Sequence, residues 1–268
     1  TLNKPPLIRL ALIRCDAKSF LLWTRHHAVT DQESIKIFWS ELWHFYSNPY
    51  VQLQQAAPFS DFAILKATNL VDAPVYHEYL PLVDDERIEN TYTLQSSELT
   101  NVLGYQKNSN VTLASYTLSA FCLALAEILS SDSFTVGYVE SDRPDRFKNS
   151  IGLYIKESLI RQDQANLVTI GEHRSHIFKS VLGQRNVNYN LVDSSSNSQI
   201  GFLFEDDPDS QSLDTLENNA GINVRLKIFC RVSLFNENLS INLSSQTQAI
   251  RSTELDSLQK KILHFLLL

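Results

Sequence analysis

The 268-residue chain holds seven glycines, three cysteines and no methionine, and each scarcity excludes something. No two glycines lie close enough to write GxGxxG or GxxxxGK[ST], which removes the backbone-amide phosphate cradles of dehydrogenases and P-loop enzymes. GxSxG is missing too, so a hydrolase nucleophile elbow has no support. Cys15, Cys122 and Cys230 make no CxxC pair, and an odd, scattered set reads as buried free thiols in a reducing compartment. No signal-peptide pattern opens the chain, so a cytoplasmic setting is expected. Basic residues are outnumbered, 23 against 30 for a net charge of −7, with no basic face for nucleic acid or anionic lipid. The longest apolar stretch, "ASYTLSAFCLALAEIL" at 114–129, carries Ser, Thr, Tyr and Glu and is too short to span a bilayer, so it reads as a buried helix. A chain without methionine reads as an internal piece of a larger polypeptide, or as one whose modified methionines are left unwritten, with some spacings one residue short.

What is present is ordinary for a globular protein, 43% hydrophobic and 20% charged, with enough length for two lobes. "PLIRLALIRCDAKSFLLWTRHH" reads as two strands joined by a turn at Cys15–Lys18, apolar on both faces and therefore expected in a doubly covered sheet. Strand alternation places Phe20, Leu22, Thr24 and His26 on one face and Leu21, Trp23, Arg25 and His27 on the other. A helix is expected at about 33–47 with Ile35, Phe38, Trp39, Leu42, Phe45 and Tyr46 at helical spacing. Residues 67–91, with two prolines and an acidic cluster, read as an irregular crossover between lobes. A long apolar helix over 111–130 leads into a strand, "SFTVGYVE", and another helix is expected at about 168–183. The polar, acidic stretch 193–221 reads as a solvated loop interrupted by a short strand, "IGFLF". Alternation over 224–234 and again in "LSINLSS", around the turn "FNEN", gives a hairpin with one wet face. The last helix starts near Ser252 and presents Leu255, Leu258, Ile262 and Phe265. Mixed strands and helices with an antiparallel hairpin point to an α+β protein of sandwich-like lobes.

Residues 24–34, "TRHHAVTDQES", concentrate the candidate chemistry. One reading is structural: Thr30 and Glu33 form a capping box, Asp31 sits in the first helical turn where the dipole favours an anion, and both histidines are strand residues with satisfied rings. The other is catalytic, with an imidazole as the working group. A metal is not expected, because His27 and Asp31 supply two ligands and no nearby third completes a set.

HHxxxD (His26, His27, Asp31) between an apolar strand and a helix resembles the signature of the condensation-domain family of nonribosomal peptide synthetases, part of the chloramphenicol-acetyltransferase-like superfamily. Further segments resemble that family in the same order. "PPLIRLALIRCDAKSFLLWTRHH" is similar to its PLxRxxL strand and the strand before the histidines, and "PFSDFAILK" (58–66) to its P-[FY]-x-D-[FY]-A segment. "VGYVESDRP" (136–144) resembles VGxPVxGRP, with Arg143 on the arginine. "IGLYIKESLIR" (151–161) resembles IGxFVNTLxxR, and the end of the chain resembles the closing hairpin and helix. The chain departs from the pattern at Gln32, Asp142 and Lys156, where the family has glycine, glycine and asparagine. Only 25 residues precede His26, fewer than in the family.

The resemblance implies two chloramphenicol-acetyltransferase-like α/β sandwich lobes, residues 1–90 as an incomplete N-terminal lobe carrying HHxxxD and 91–268 as the C-terminal lobe. A sheet lacking strands is expected to expose unpaired edges. It implies an acyltransferase that forms an amide between a thioester donor and an amine acceptor, in nonribosomal peptide or hybrid polyketide-peptide biosynthesis. Both substrates arrive on the 4′-phosphopantetheine arms of carrier proteins, through opposite ends of a tunnel between the lobes. Donor and acceptor carriers and neighbouring synthetase domains are the implied partners, with no cofactor bound by the domain itself. By the same resemblance His27 is the catalytic imidazole, as proton acceptor or stabiliser of the tetrahedral intermediate. His26 and Asp31 complete the motif: His26 is a structural neighbour and Asp31 a brace paired with Arg143. Gln32, Ser34, Tyr154 and Lys156 are weaker candidates for lining the substrate channel. Gln32 either crowds that channel or points outward at the helix start. Two other readings keep the fold: amide or ester release with a free nucleophile, and a non-catalytic module that docks carriers or a tailoring enzyme.

Overall fold

A computed structural model describes residues 5–16, 18–68, 87–131, 133–163, 169–184, 199–207, 227–235, 237–247 and 249–268. These form two compact units, one from Thr1–Val71 with Ser141–Lys156, the other from Asp72–Glu140 with Glu157–Leu268.

The first unit contains β1 (Ile8–Arg14), β2 (Ser19–Arg25), α1 (Gln32–Ser47) and α2 (Phe59–Thr68). β1 and β2 pair antiparallel, Leu10 opposite Trp23 and Leu12 opposite Leu21, and the Cys15 N–H closes the turn on Lys18 O at 2.9 Å. The expected doubly covered sheet is not what forms. Leu10, Leu12 and Leu22 are 52%, 57% and 52% exposed, and the buried residue of the pair is Trp23. Trp23 stacks on Phe38 at 4.0 Å and meets Trp39 edge-on at 5.9 Å, so α1 covers one side chain of one face. Among the described residues no third strand pairs with either edge. Apolar side chains on both faces are therefore exposed, and so is Cys15 at the turn, contrary to the expected buried thiol.

The second unit contains β3 (Arg87–Thr93), α3 (Ser96–Ser109), α4 (Leu113–Leu129), β4 (Ser133–Ser141), β5 (Ile155–Asp163), α5 (Ile170–Gln184), β6 (Ile200–Asp207), β7 (Ile228–Phe235), β8 (Asn238–Gln246) and α6 (Ser252–Leu266). Its sheet runs β3-β8-β7-β6-β4-β5, parallel at β4–β6 and β6–β7 and antiparallel at β7–β8 and β8–β3. Alternation in the hairpin works as expected: Cys230, Val232, Ile241 and Leu243 share one core with Val136, Tyr138 and Phe202 of the neighbouring strands, with Phe121 and Leu125 of α4 and with Leu255, Leu258 and Ile262 of α6. Burial pushes the Cys122 and Cys230 thiols well above their ordinary range, so both are inert. Thr112 caps α4 by accepting the Ser115 N–H, and Glu254 reaches back to the Arg251 N–H at the start of α6, which fixes where both helices begin. The β7–β8 hairpin turns through Glu237 at φ 60°. The crossover and the acidic stretch fall largely outside the described residues, as do Val224 and Leu226. No single described helix is long and apolar enough to cross a membrane.

One polar pair sits inside this core. His173 Nδ1 of α5 meets Ser119 Oγ of α4 at 2.6 Å, and the buried Nε2 has no partner among the described residues. Burial foremost, then His176 and Arg174, lowers the His173 pKa to about 4, below the ordinary value near 6.5. The fold therefore holds a neutral ring that the unfolded chain protonates first. The resulting stability is complete above about pH 6.5 and declines as pH falls toward 4, by about 2–3 kcal/mol. Urea unfolding at pH 7 and pH 4.5 is expected to show His173→Asn losing that much less stability than wild type between the two; equal losses exclude the role.

Candidate functional site

The HHxxxD segment lies where β2 ends. β2 stops at Arg25, His26 is still extended at φ −85°, ψ 133°, and His27–Val29 form a 3-10 turn. Strand alternation thus ends one residue short of His27, and the two histidines are separated by hydrogen bonding instead. The His26 ring Nδ1 accepts the Ala28 N–H at 3.1 Å. The His27 ring Nδ1 faces Thr30 O at 2.9 Å. A carbonyl oxygen only accepts, so His27 carries its hydrogen on Nδ1 and, when neutral, its lone pair on Nε2. His26 is the reverse: its Nδ1 lone pair is taken by Ala28, leaving the hydrogen on Nε2. Adjacent rings therefore have opposite tautomers, and both side chains are exposed.

α1 has its cap one residue later than the Thr30 capping box indicates. Its N-cap is Asp31, whose Oδ1 accepts the Ser34 N–H at 2.8 Å, and not Thr30 with Glu33. Thr30 instead ends the 3-10 turn, its hydroxyl buried and unpartnered among the described residues. Both spacings satisfy a cap; contacts from far along the chain decide between them.

Those contacts come from Arg143. Its Nη2 lies 2.8 and 3.0 Å from the two Asp31 carboxylate oxygens, with side chains 6% and 5% exposed. The Tyr154 backbone N–H adds 2.9 Å to Oδ2, and the Ser34 hydroxyl 2.7 Å to Oδ1. Nη1 turns back to its own loop, donating to Phe147 O and Ser150 O. The guanidinium carbon sits 4.0 Å from the Tyr154 ring centroid, a cation–π contact. One nitrogen shapes the 143–154 loop while the other docks it on the start of α1.

The remaining candidates have distinct places. Ser34 is fully buried, and its oxygen also meets Gly152 O at 2.7 Å, Gly152 N at 3.0 Å and Arg143 Nη2 at 3.1 Å. Tyr154 is fully buried with its hydroxyl on Ser150 Oγ at 2.7 Å. Both serve the network; neither side chain reaches open space. Gln32 is the first residue of α1, exposed and helical, so its backbone needs no glycine. Lys156 lies half-buried in β5.

Sequence reading missed the floor of the site. Phe59 and Phe62 of α2 pack with Phe147 and Tyr154, ring centroids 4.7–5.7 Å apart for the contacts to Tyr154. A Cβ on Gly152 would lie 2.7 Å from Phe59 Cγ and 2.9 Å from Tyr154 Cε2, so only glycine lets the loop close over that ring. The signal was present: "PFSDF" and "IGLY" carry the aromatics that meet there. Asp142 forms an ion pair with Lys66 of α2, and Arg146 one with Asp61 at 2.8 Å. The described residues hold no cluster of metal-ligating side chains.

No family model matches the chain. Curated relatives do: it is 27% identical over 187 residues to a linear gramicidin synthase subunit of Brevibacillus parabrevis, 60% of this chain and 4% of that protein. It is 24% identical over 214 residues to a plipastatin synthase subunit of Bacillus subtilis (strain 168), 70% of this chain and 8% of that protein. The chain thus spans under a tenth of either relative. Among solved structures, the epimerization domain from the third module of a tyrocidine synthetase superposes with a TM-score of 0.75 at 14% identity, over 98% of this chain and 72% of that one. The condensation domain of the monacolin K polyketide synthase gives 0.74 at 14%, over 97% and 71%. These two likenesses concern the fold; the synthetase relatives add sequence. With HHxxxD at the head of α1, the chain has the fold of the solved epimerization and condensation domains and is similar in sequence to segments of peptide synthetases.

Proposed function

We propose that the domain is an acyltransferase that joins the acyl group of a carrier-tethered thioester to an amine on a second carrier, within a peptide or hybrid polyketide-peptide assembly line. The reading is carried by the His27 ring, exposed, with Nδ1–H held by a backbone carbonyl and the Nε2 lone pair left available. The amine nitrogen attacks the thioester carbonyl, Nε2 takes its proton as the C–N bond forms, and the C–S bond breaks. The departing thiolate recovers the proton as a thiol. This tautomer orders the two roles open to an imidazole: Nε2 first accepts, and as N–H it then donates to the oxyanion. Holding both substrates on tethered arms supplies the rest by making the encounter effectively unimolecular. His26 has no lone pair free for the same task. Asp31 and Arg143 position the loop and do not exchange protons with substrate. Donor and acceptor carriers, neighbouring synthetase domains and the pantetheine arms belong to this proposal, supported by the synthetase relatives.

Intact mass spectrometry of two loaded carriers tests it. Wild-type chain is expected to move the acyl group onto the acceptor, and His27→Ala to lower the rate by about 10²–10⁴-fold. Carrier binding without transfer in wild type refutes the enzyme in favour of a docking module; transfer only from coenzyme A thioesters to free amines favours release chemistry. Asp31→Asn keeps the shape of the cap and leaves the Arg143 charge buried alone. Urea unfolding is expected to show a loss of about 3–5 kcal/mol, and a loss below about 1 kcal/mol, the scale of an exposed pair, contradicts a structural charge pair.

A further inference from the structure

We propose that Ser34 is a positioning residue for His27, its buried hydroxyl holding Asp31 and the Gly152 turn in the one arrangement that sets the His27 tautomer. The inference rests on the catalytic reading of His27 and names a residue that never touches substrate. Ser34 Oγ is fully buried and has four neighbours: Asp31 Oδ1 at 2.7 Å, Gly152 O at 2.7 Å, Gly152 N at 3.0 Å and Arg143 Nη2 at 3.1 Å. Its single proton serves one of the first two, and its lone pairs take the last two. A hydroxyl is the smallest group that both donates and accepts at this spot, and alanine does neither.

The route to His27 is short. Asp31 is held by its cap bond to the Ser34 N–H and by the Ser34 hydroxyl, Arg143 and the Tyr154 N–H. The peptide plane before Asp31 belongs to Thr30, and its carbonyl is the partner of His27 Nδ1. With the Asp31 φ held at −117°, that carbonyl has one direction. If the cap bonds of Asp31 are lost, its backbone is no longer fixed, the Thr30–Asp31 peptide can turn with its carbonyl, and an exposed imidazole without its acceptor interconverts tautomers freely. Nε2 would then carry hydrogen for part of the time and could not accept the amine proton. The Thr30 side chain cannot substitute as a brace, because its hydroxyl is buried without a partner among the described residues.

Ring ¹⁵N NMR of histidine-labelled chain reads this without turnover, with His27→Gln assigning the resonances. Wild type is expected to show pyrrole-type Nδ1 and pyridine-type Nε2 for His27. Ser34→Ala is expected to move both toward the exchange average and to lower kcat roughly 10-fold at unchanged KM, the scale on which outer-shell partners of a site histidine act. If Ser34→Ala does not fold, Ser34→Cys, nearly isosteric and a weak donor, is judged by the same spectrum. An averaged ring in wild type, or an unchanged ring pattern in a folded variant, overturns the proposal. Turnover surviving His27→Ala would instead defeat the catalytic reading while leaving the ring spectra to decide the role of Ser34.

Discussion

The first unit is organised by one buried charge pair. Removing a carboxylate and a guanidinium from water is expensive, and their mutual attraction repays it only when hydrogen bonds satisfy what remains. Asp31 meets that condition: the Ser34 N–H and hydroxyl, the Tyr154 N–H and the Arg143 nitrogen all converge on its two oxygens. It also caps α1, where the helix dipole favours a negative charge. Arg143 is satisfied at both terminal nitrogens and leaves its buried Nε without a partner among the described residues, a residual cost accepted for the position of the other two. The Tyr154 ring beneath the guanidinium gives its flat face something better than hydrocarbon.

This pair explains why short, widely separated segments of the chain matter together. The histidine segment supplies the carboxylate, the "SDRP" turn the guanidinium, the "IGLY" segment two backbone groups and a ring, and the "PFSDF" helix the aromatic floor. Each is short and unremarkable alone. Asp142 illustrates a local departure that the structure absorbs. Where the family has glycine, this chain has a carboxylate, and Lys66 of α2 is placed to pair with it.

Legibility in the sequence follows the physics of each part. The β7–β8 hairpin and α6 are readable because a large core imposes period 2 on strands and period 3.6 on helices, whereas α4 is readable as an apolar run whose residues from Ser115 to Ala126 are nearly all buried. β1 and β2 have equally apolar patterns yet remain exposed, since composition records what a strand prefers to be packed against and not whether that layer is present. The start of α1 is ambiguous because Thr30–Glu33 and Asp31–Ser34 have the same spacing. Distant partners, Arg143 at 112 residues away and the Tyr154 N–H, favour Asp31, and Arg143 comes from the family resemblance, not from local pattern. The same resemblance points to Ser34 and Tyr154 as channel residues; burial turns them inward. The histidine tautomers have no sequence signal, because a backbone carbonyl and a backbone amide select them.

The two units are therefore stable for different reasons. The second has a continuous apolar core contributed by its strands and helices, in which removing one side chain weakens a sum of many small contacts. The first has a small aromatic cluster of Phe62, Phe147 and Tyr154 and a polar network in which every member is bonded to several others. In such a network pairwise contributions do not add, and loss of one partner strands the rest. The bonds that hold α1 against the 143–154 loop end on Asp31, the residue next to the Thr30 whose carbonyl meets His27. Fold and site geometry in this unit are thus neighbours in the chain.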